Sequence, residues 1–361
     1  MELESSSFQG QPVNPLIVQL GLQGERVRFS QSGRHALGEI LKALSLRDGV
    51  LLVPDFYCHA SMMEVFGSRR LKSIHYPVNS DLTPDSGAIL KHLAEPKLDI
   101  KAILLVSFFG IVRPKQAALD ITRAGFQLPI ILDSVQDLNG AIHYRETASW
   151  APWQFFSLAK FLPLPNGGFA LGPGIESGGV AKYENEATLL SVTRMAIRGL
   201  AQQIRERGGE SEAMDSLYVK LCESDLDVDP DRGASDLSIQ LASLIDLPKM
   251  FEHRQANFEY LRSKLQAAEI THIPSEFPSR GPLVLPIRVS SGSRNDLKTE
   301  LYKNKILAPI HWPQGQVALD GLGENTRRLN QEILSLPIDQ RYGRDDMNLI
   351  AQVIENFLAH P

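Results

Sequence analysis

The chain contains little cysteine, since only Cys58 and Cys222 occur among its 361 residues. Two cysteines this far apart are too few for a disulfide framework or for a metal site with four ligands. The shortage excludes the class of small, disulfide-rich secreted proteins. We therefore expect no bound metal and a protein of the reducing cytoplasm.

Long hydrophobic runs and an excess of positive charge are also missing. The longest apolar run, residues 102–112, is interrupted by Ser107 and Gly110 and is too short to span a bilayer. The first residues are acidic and polar, unlike a secretory signal. The 37 Lys and Arg residues are dispersed and outnumbered by 42 Asp and Glu residues, unlike the basic surface of a nucleic-acid binder. We expect a soluble, cytoplasmic protein without a membrane or nucleic-acid partner.

Between about residues 28 and 172, short apolar runs alternate with amphipathic segments. This alternation is typical of βα units that build a mainly parallel sheet, in which ligands bind beyond the carboxyl ends of the strands. Helices are predicted at 35–46 and 116–124. The predicted strands are 50–54, 72–76, 102–107, 129–133, 155–157 and 168–171.

The C-terminal part of the chain has a different pattern. Two long helical patterns, 184–207 and 235–268, flank an acidic loop. They precede a strand at 283–289, a helix at 294–302, a strand at 305–310 and a final helix at 344–358. We predict a large α/β domain over residues 1–245 and a smaller α+β domain over residues 246–361.

Three local patterns could carry chemistry, although each also has a plain structural interpretation. Asp133 ends a buried-type strand, as a ligand-facing carboxylate would, but an isolated aspartate there more often begins a turn or caps a helix. Lys160 lies among apolar residues that should desolvate its amine and favour the nucleophilic form, yet such a lysine more often extends its amine into water. The segment 32–34 opens a helix and could hold a phosphate, or Ser32 could be an ordinary N-cap.

Taken together, the three patterns describe one ligand, pyridoxal 5'-phosphate (PLP). Its phosphate needs an anion site, its ring nitrogen needs a carboxylate, and its aldehyde needs a lysine that forms an imine. The segment 32–34, Asp133 and Lys160 supply these three groups in that order.

With these residues the sequence resembles the fold-type I PLP enzymes, and within them the DegT/StrS-type aminotransferases of nucleotide-linked keto-sugars. The resemblance covers nearly the whole chain. It is carried by Ser32-Gly33-Arg34, by Val53-Pro54 with Phe56 to His59, by Asp133-x-x-Gln136, by Lys160, by Ser235-Asp236-Leu237, by His311-Trp312-Pro313 and by Leu334-Ser335-Leu336-Pro337-Ile338.

The resemblance implies a fold and a set of roles. The fold would be a seven-stranded, mainly parallel sheet sandwiched by helices, with a smaller C-terminal α+β domain. Asp133 would meet the pyridine nitrogen, Gln136 the ring hydroxyl, and Lys160 would hold the cofactor as an imine and act as general acid and base. The implied reaction moves an amino group, plausibly from glutamate, to a keto group on a nucleotide-linked sugar, in a homodimer. A PLP enzyme of another reaction type and a catalytically silent binding protein are the alternatives.

Three departures mark a divergent branch of this family. Ser157 lies three residues before the lysine, where better-known members have a serine five residues before it. The residue that stacks on the ring could be Tyr57, Cys58 or His59. The asparagine that reaches the neighbouring subunit's phosphate in this family is not found just before Ser235; either Arg232 takes its role or the contact is absent.

Two further residues are weaker candidates for substrate contacts. His311 could touch substrate or form a structural corner. Arg341 could bind a phosphate or carboxylate, with a surface salt bridge as the equal alternative. The aspartates at 225, 227, 229 and 231 lack the spacing of a calcium loop.

Overall fold

A computed structural model describes residues 14–176, 185–223, 232–267, 270–273, 281–290, 292–312 and 322–359. The strands are β1 (Val27–Ser30), β2 (Val50–Pro54), β3 (Lys72–Tyr76), β4 (Ile100–Val106), β5 (Ile130–Asp133), β6 (Trp153–Ser157), β7 (Gly168–Leu171), β8 (Thr271–His272), β9 (Leu285–Arg288) and β10 (Ile333–Leu336). Short 3₁₀ turns lie at Phe108–Gly110, Leu138–His143 and Leu265–Ala267.

The helices flank these strands. They are α1 (Pro15–Gln19), α2 (Gly33–Ala43), α3 (His59–Gly67), α4 (Ser86–Leu93), α5 (Lys115–Arg123), α6 (Tyr144–Thr147), α7 (Asn185–Glu206), α8 (Glu212–Glu223), α9 (Asp236–Ser243), α10 (Leu247–Lys264), α11 (Arg294–Lys303), α12 (Glu324–Glu332) and α13 (Arg344–Ala359). Within the described ranges, no helix is long and apolar enough to cross a membrane.

Strands β1 to β7 form one sheet in the order β1-β7-β6-β5-β4-β2-β3. The pairs β2–β3, β2–β4, β4–β5 and β5–β6 are parallel, whereas β7 is antiparallel to both of its neighbours. The central strands are continuous apolar runs because helices cover both faces of the sheet. The predicted seven-stranded, mainly parallel fold is confirmed.

The register of this sheet brings the ends of several strands to one edge. Ser30 at the end of β1 and Ser157 at the end of β6 both pair with Gly168, the first residue of β7. Asp133 at the end of β5 pairs with Phe155 of β6. Ligands bind at such carboxyl edges in open α/β sheets, and the predicted site residues of β5 and β6 lie at this one.

A second, three-stranded antiparallel sheet has the order β10-β9-β8. Helix α11 packs against β10, helix α12 packs against β9, and helix α13 packs against α10 and α11. Buried residues of these helices, such as Phe258, Leu301 and Ile350, belong to the same core as the central strands of the large sheet. This small sheet with its helices matches the α+β character predicted for the C-terminal part. The boundary at residue 245 stays a prediction.

Two sequence predictions in the C-terminal part were wrong. Segment 305–310 is not a strand. Lys305 lies in the left-handed region, with φ 61°. Pro309 has no N–H and meets β10 by accepting a hydrogen bond from Ser335 N at 3.0 Å. The pattern at 235–268 is two helices, because Asp246 caps the N-terminus of α10 through Lys249 N and Pro248 occupies its first turn.

Candidate active site

Asp133 is almost completely buried at the end of β5, with 1% of its surface exposed. Its Oδ1 accepts a hydrogen bond from Val135 N at 2.9 Å, and its Oδ2 accepts one from Tyr57 Oη at 2.6 Å. Burial raises the pKa of Asp133, against the opposing effects of the Tyr57 hydrogen bond and the charge of Lys160. Asp133 therefore begins a turn, which was the structural alternative weighed for it, and it also places a buried carboxyl group at the edge of the sheet.

The three candidates for stacking on the ring occupy different positions. Tyr57 is buried, and its hydroxyl is directed at Asp133. Cys58 is partly buried, and burial raises the pKa of its thiol to about 12, which keeps the thiol protonated at neutral pH. His59 begins α3, and its side chain lies outside the described residues. Which of the three stacks on the ring stays a prediction.

Gln136 is 1% exposed and uses only one end of its amide. Its Oε1 accepts a hydrogen bond from Phe109 N at 3.0 Å, which fixes the turn in which Phe109 has φ 57°. Its Nε2 has no hydrogen-bond partner among the described residues. A buried, unpaired amide donor is costly, so Nε2 fits an acceptor such as a ring hydroxyl.

Lys160 follows β6 in a turn whose apolar side chains face inward. Phe161 and Leu162 are each 3% exposed, whereas Lys160 itself is exposed. The expected desolvation of its amine is therefore not found, because the side chain of Lys160 is exposed although its apolar neighbours pack into the core. The amine is accessible for covalent chemistry.

A cavity of about 500 Å³ opens at this lysine. The predicted site residues that line it are Ser32, Arg34, Ser157, Lys160 and Arg341. Asp133, Cys58 and His311 do not line this cavity. The positive charge of Lys160 nevertheless acts on all three groups: it opposes the burial that raises the pKa of Asp133 and Cys58, and it adds to the burial that lowers the pKa of His311. The lysine therefore lies within electrostatic reach of all three.

The start of α2 forms part of the cavity wall. Ser32 occupies the N-cap position, but its side chain makes no cap hydrogen bond and instead pairs with His35 Nδ1 at 2.9 Å. A Cβ added to Gly168 would come within 2.5 Å of Ser32 C and 2.7 Å of Gly33 N, so only glycine allows β7 to pack against this helix start. The alternative that Ser32 is an ordinary N-cap is therefore weakened, and the first backbone N–H groups of α2 fit an anion.

The C-terminal part contributes His311 and Arg341 to this neighbourhood. His311 Nδ1 lies 2.8 Å from Ser335 Oγ, and burial together with the charge of Lys160 lowers the pKa of the imidazole to about 4, so it is neutral at pH 7. Arg341 donates two hydrogen bonds to Asp339, at 2.9 and 2.7 Å. The salt bridge weighed for Arg341 is present, and the residue also lines the cavity.

Arg232 lies close to the predicted phosphate-binding segment, residues 32–34, within the same chain. Its carbonyl accepts a hydrogen bond from Gln31 N at 3.0 Å. Its predicted contact with a neighbouring subunit stays a prediction. The acidic residues 225, 227, 229 and 231 lie outside the described ranges.

Arg254, Gln340 and Asn166 line the cavity but were not among the predicted site residues. Arg254 is 2% exposed and donates to Gln340 Oε1 at 2.8 Å, and Gln340 Nε2 donates to Phe161 O at 3.0 Å, beside Lys160. Asn166 is 5% exposed and lines the same cavity. The Asn-Gly-Gly run was a visible signal for Asn166, whereas an arginine within a long helical pattern gives no signal for Arg254.

The C-terminal part of the chain matches a known protein family in sequence. Residues 235–355 match the model of the DegT/DnrJ/EryC1/StrS aminotransferase family. The predicted family resemblance is confirmed. The matched segment contains His311, Gln340 and Arg341 and excludes Asp133 and Lys160. Among curated proteins, none matches the chain.

Solved structures of aminotransferases share the fold over nearly the whole chain. The aminotransferase TlmJ from Streptoalloteichus hindustanus is 16% identical, with a TM-score of 0.67 over 95% of this chain and 88% of its own. The putative sugar aminotransferase Spr1654 from Streptococcus pneumoniae, in its PMP form, is 18% identical, with a TM-score of 0.66 over 97% and 92%. DesV from S. venezuelae, in complex with a ketimine intermediate, is 17% identical, with a TM-score of 0.66 over 98% and 90%.

Proposed function

We propose that the chain is a PLP-dependent aminotransferase that transfers an amino group to a keto group of a sugar. The observation that carries the proposal is the cavity in which the exposed Lys160 faces the start of α2. A reactive amine and an anion site on one cavity are what a phosphorylated aldehyde requires. The family match and the sugar aminotransferases of the same fold support this reading.

The chain's buried polar atoms fit this cofactor. The unpartnered Nε2 of Gln136 would donate to the ring hydroxyl, and Asp133 would keep the ring nitrogen protonated. Segment 32–34 with Ser157 would hold the phosphate. The bound cofactor supplies an electron sink for the carbon that carries the amino group.

The residues of the chain supply the binding and the proton transfers around that cofactor. Lys160 would tether the cofactor and, once freed, carry a proton at Nζ to and from the substrate carbon. His311 is neutral at pH 7, so it can orient a substrate hydroxyl without adding a second positive charge beside Lys160. Glutamate as donor, a nucleotide-linked keto-sugar as acceptor, a homodimer and a cytoplasmic location complete the proposal.

One observation favours the alternative of a catalytically silent protein. The hydroxyl of Tyr57 lies 2.6 Å from Asp133 Oδ2, on the carboxylate that would face the ring nitrogen. A carboxylate oxygen has a second lone pair and can accept from a second donor. The aminotransferase proposal therefore requires Asp133 to accept from Tyr57 and the cofactor together, or Tyr57 to turn away.

The absorption spectrum of the purified protein with added PLP separates these functions. An aminotransferase gives a visible imine band that L-glutamate converts to the pyridoxamine form. Lys160→Ala lacks the band, whereas the control Lys115→Ala, on an exposed helix start, keeps it. A wild-type protein that forms no imine sinks the proposal. An imine that resists glutamate refutes this donor alone.

A further inference from the structure

We infer that Asn166 is a phosphate ligand of the cofactor, supplied from within the chain. The inference rests on the proposed function for the identity of the ligand, and on geometry for the site. Asn166 belongs to the turn between β6 and β7 and lines the cavity together with Ser32, Arg34 and Ser157.

The oxygen of the Asn166 amide is fully used on the side away from the cavity. Its Oδ1 accepts from Ser235 N at 3.0 Å and from Ser238 Oγ at 3.0 Å, and Ser235 Oγ lies 3.4 Å away. These donors belong to the N-terminus of α9. They fix the amide plane and leave its NH₂ group facing away from α9.

The nitrogen of the same amide is buried without a partner. Asn166 is 5% exposed, and its Nδ2 has no hydrogen-bond partner among the described residues. An unpaired buried donor costs about 1–3 kcal/mol, so such a group in a ligand cavity is expected to meet an acceptor there.

The turn that carries Asn166 is held directly against the start of α2. Gly167 N donates to Gln31 O at 2.7 Å, and Gly168 packs against the backbone of Ser32 and Gly33. An anion at the first amides of α2 would therefore lie beside this turn. The helix amides, Arg34 and Nδ2 of Asn166 then form one set of donors around a phosphate.

A second acceptor in the cavity wall gives a competing explanation. Gln31 is 2% exposed, lines the same cavity and has no partner for its Oε1 among the described residues. A hydrogen bond between this oxygen and Asn166 Nδ2 would make the amide purely structural. The experiment must separate a phosphate ligand from such a pair.

The test compares the affinity of the apoprotein for PLP with its affinity for pyridoxal, which has the same ring and no phosphate. Asn166→Asp keeps the oxygen that accepts from α9 and replaces the donor by a carboxylate oxygen. We expect it to weaken PLP binding at least about 10-fold, because the phosphate loses one charge-assisted hydrogen bond and meets a negative charge, and to leave pyridoxal binding within about twofold. Asn166→Ser removes the donor without adding a charge, so a loss in that variant reports the hydrogen bond alone. Inorganic phosphate should raise the melting temperature of wild-type apoprotein and not of this variant.

Asn139→Asp is the matched control, since Asn139 is 4% exposed and also has an unpartnered Nδ2 but does not line the cavity. It should retain the PLP preference and the phosphate effect. If Asn166→Asp does not fold, Asn166→Ser serves for the same comparison, with the same selective loss expected.

Each outcome decides the inference. An unchanged ratio of PLP to pyridoxal affinity in the Asn166 variants overturns it and fits a structural pair with Gln31. An equal loss in Asn139→Asp also overturns it. A wild-type protein that responds to phosphate through Asn166 but forms no imine with PLP refutes the proposed function and leaves the phosphate site standing.

Discussion

Residues 27–171, which build the seven-stranded sheet, and residues 236–359, which build the small sheet and its helices, resemble known aminotransferases in different ways. The C-terminal region matches the family model in sequence. The sheet region lies outside that match, yet it contains Asp133, Gln136 and Lys160 at one edge. The sequence match to the family thus lies in the smaller region, whereas the residues proposed to hold the cofactor lie in the sheet region.

The two regions also bury their ionisable side chains in different surroundings. The sheet region buries Asp133 without an ion pair to Lys160 and covers it with Tyr57. The C-terminal region buries Arg254 against backbone carbonyls and Gln340. We expect substitutions in the first region to change chemistry and substitutions in the second region to change stability.

The largest expected effect is on the Asp133 carboxylate. Asp133→Asn should slow the glutamate half-reaction about 10²- to 10³-fold, because the ring nitrogen loses its charged partner, while Lys160 still forms the imine. Stopped-flow absorbance measures the rate. The control Asp99→Asn, at an exposed residue, should react like the wild type. A rate within threefold of the wild type in Asp133→Asn would show that the sheet region does not carry the chemistry.

The pH dependence of the unfolding free energy of the same variant is a second test of the sheet region. Burial raises the pKa of Asp133 above its ordinary value of 3.8, so the buried group binds its proton more tightly than in the unfolded chain. The stability that this neutral carboxyl group contributes at low pH is lost as the pH rises from 3.8 through the raised pKa. The unfolding free energy of the apoprotein should therefore fall over that range in the wild type more than in Asp133→Asn. Urea titrations at several pH values measure the difference, and parallel pH profiles would contradict it.

Arg254→Met should lower the unfolding free energy by about 2–4 kcal/mol, because the substitution leaves buried acceptors unpaired at Pro282, Leu283 and Gln340. Urea denaturation measures the loss. Arg70→Met is the control, since Arg70 is exposed and pairs with an exposed Asp48, and it should lower the unfolding free energy far less. Equal losses of unfolding free energy in Arg254→Met and Arg70→Met would contradict the expectation that the buried arginine contributes more to stability than the exposed one.

His311 should make the C-terminal region sensitive to acid. Burial and the charge of Lys160 lower its pKa from 6.5 to about 4, so stability is full above pH 6.5 and falls as the pH drops toward 4, by at most about 3 kcal/mol. His311→Asn should flatten this part of the profile, measured by thermal unfolding of the apoprotein. His253→Asn, at an exposed histidine of α10, should not.

The smallest effect is expected at Arg341. Its side chain is 57% exposed and its guanidinium is engaged by Asp339, so Arg341→Ala should cost less than about 1 kcal/mol and change the KM for glutamate less than threefold. Steady-state kinetics measure the KM. A tenfold rise would instead assign Arg341 to substrate binding.

The fold was more predictable from the sequence than the site. Strands β4 and β5 are continuous apolar runs because both faces are covered, and such runs identify a buried parallel sheet. The exposure of Lys160 was not predictable, because apolar neighbours in a chain say nothing about the direction in which a turn points each side chain. The Tyr57–Asp133 contact joins residues 76 positions apart and required the register of the sheet.

The most direct test of the central claim is to map the lysine that the cofactor modifies. Wild-type protein is incubated with PLP, reduced with borohydride, digested and analysed by mass spectrometry. The account predicts a stable pyridoxyl group on Lys160, lost when inorganic phosphate competes for the site. A label spread over surface lysines, or concentrated on a lysine other than Lys160, would contradict it.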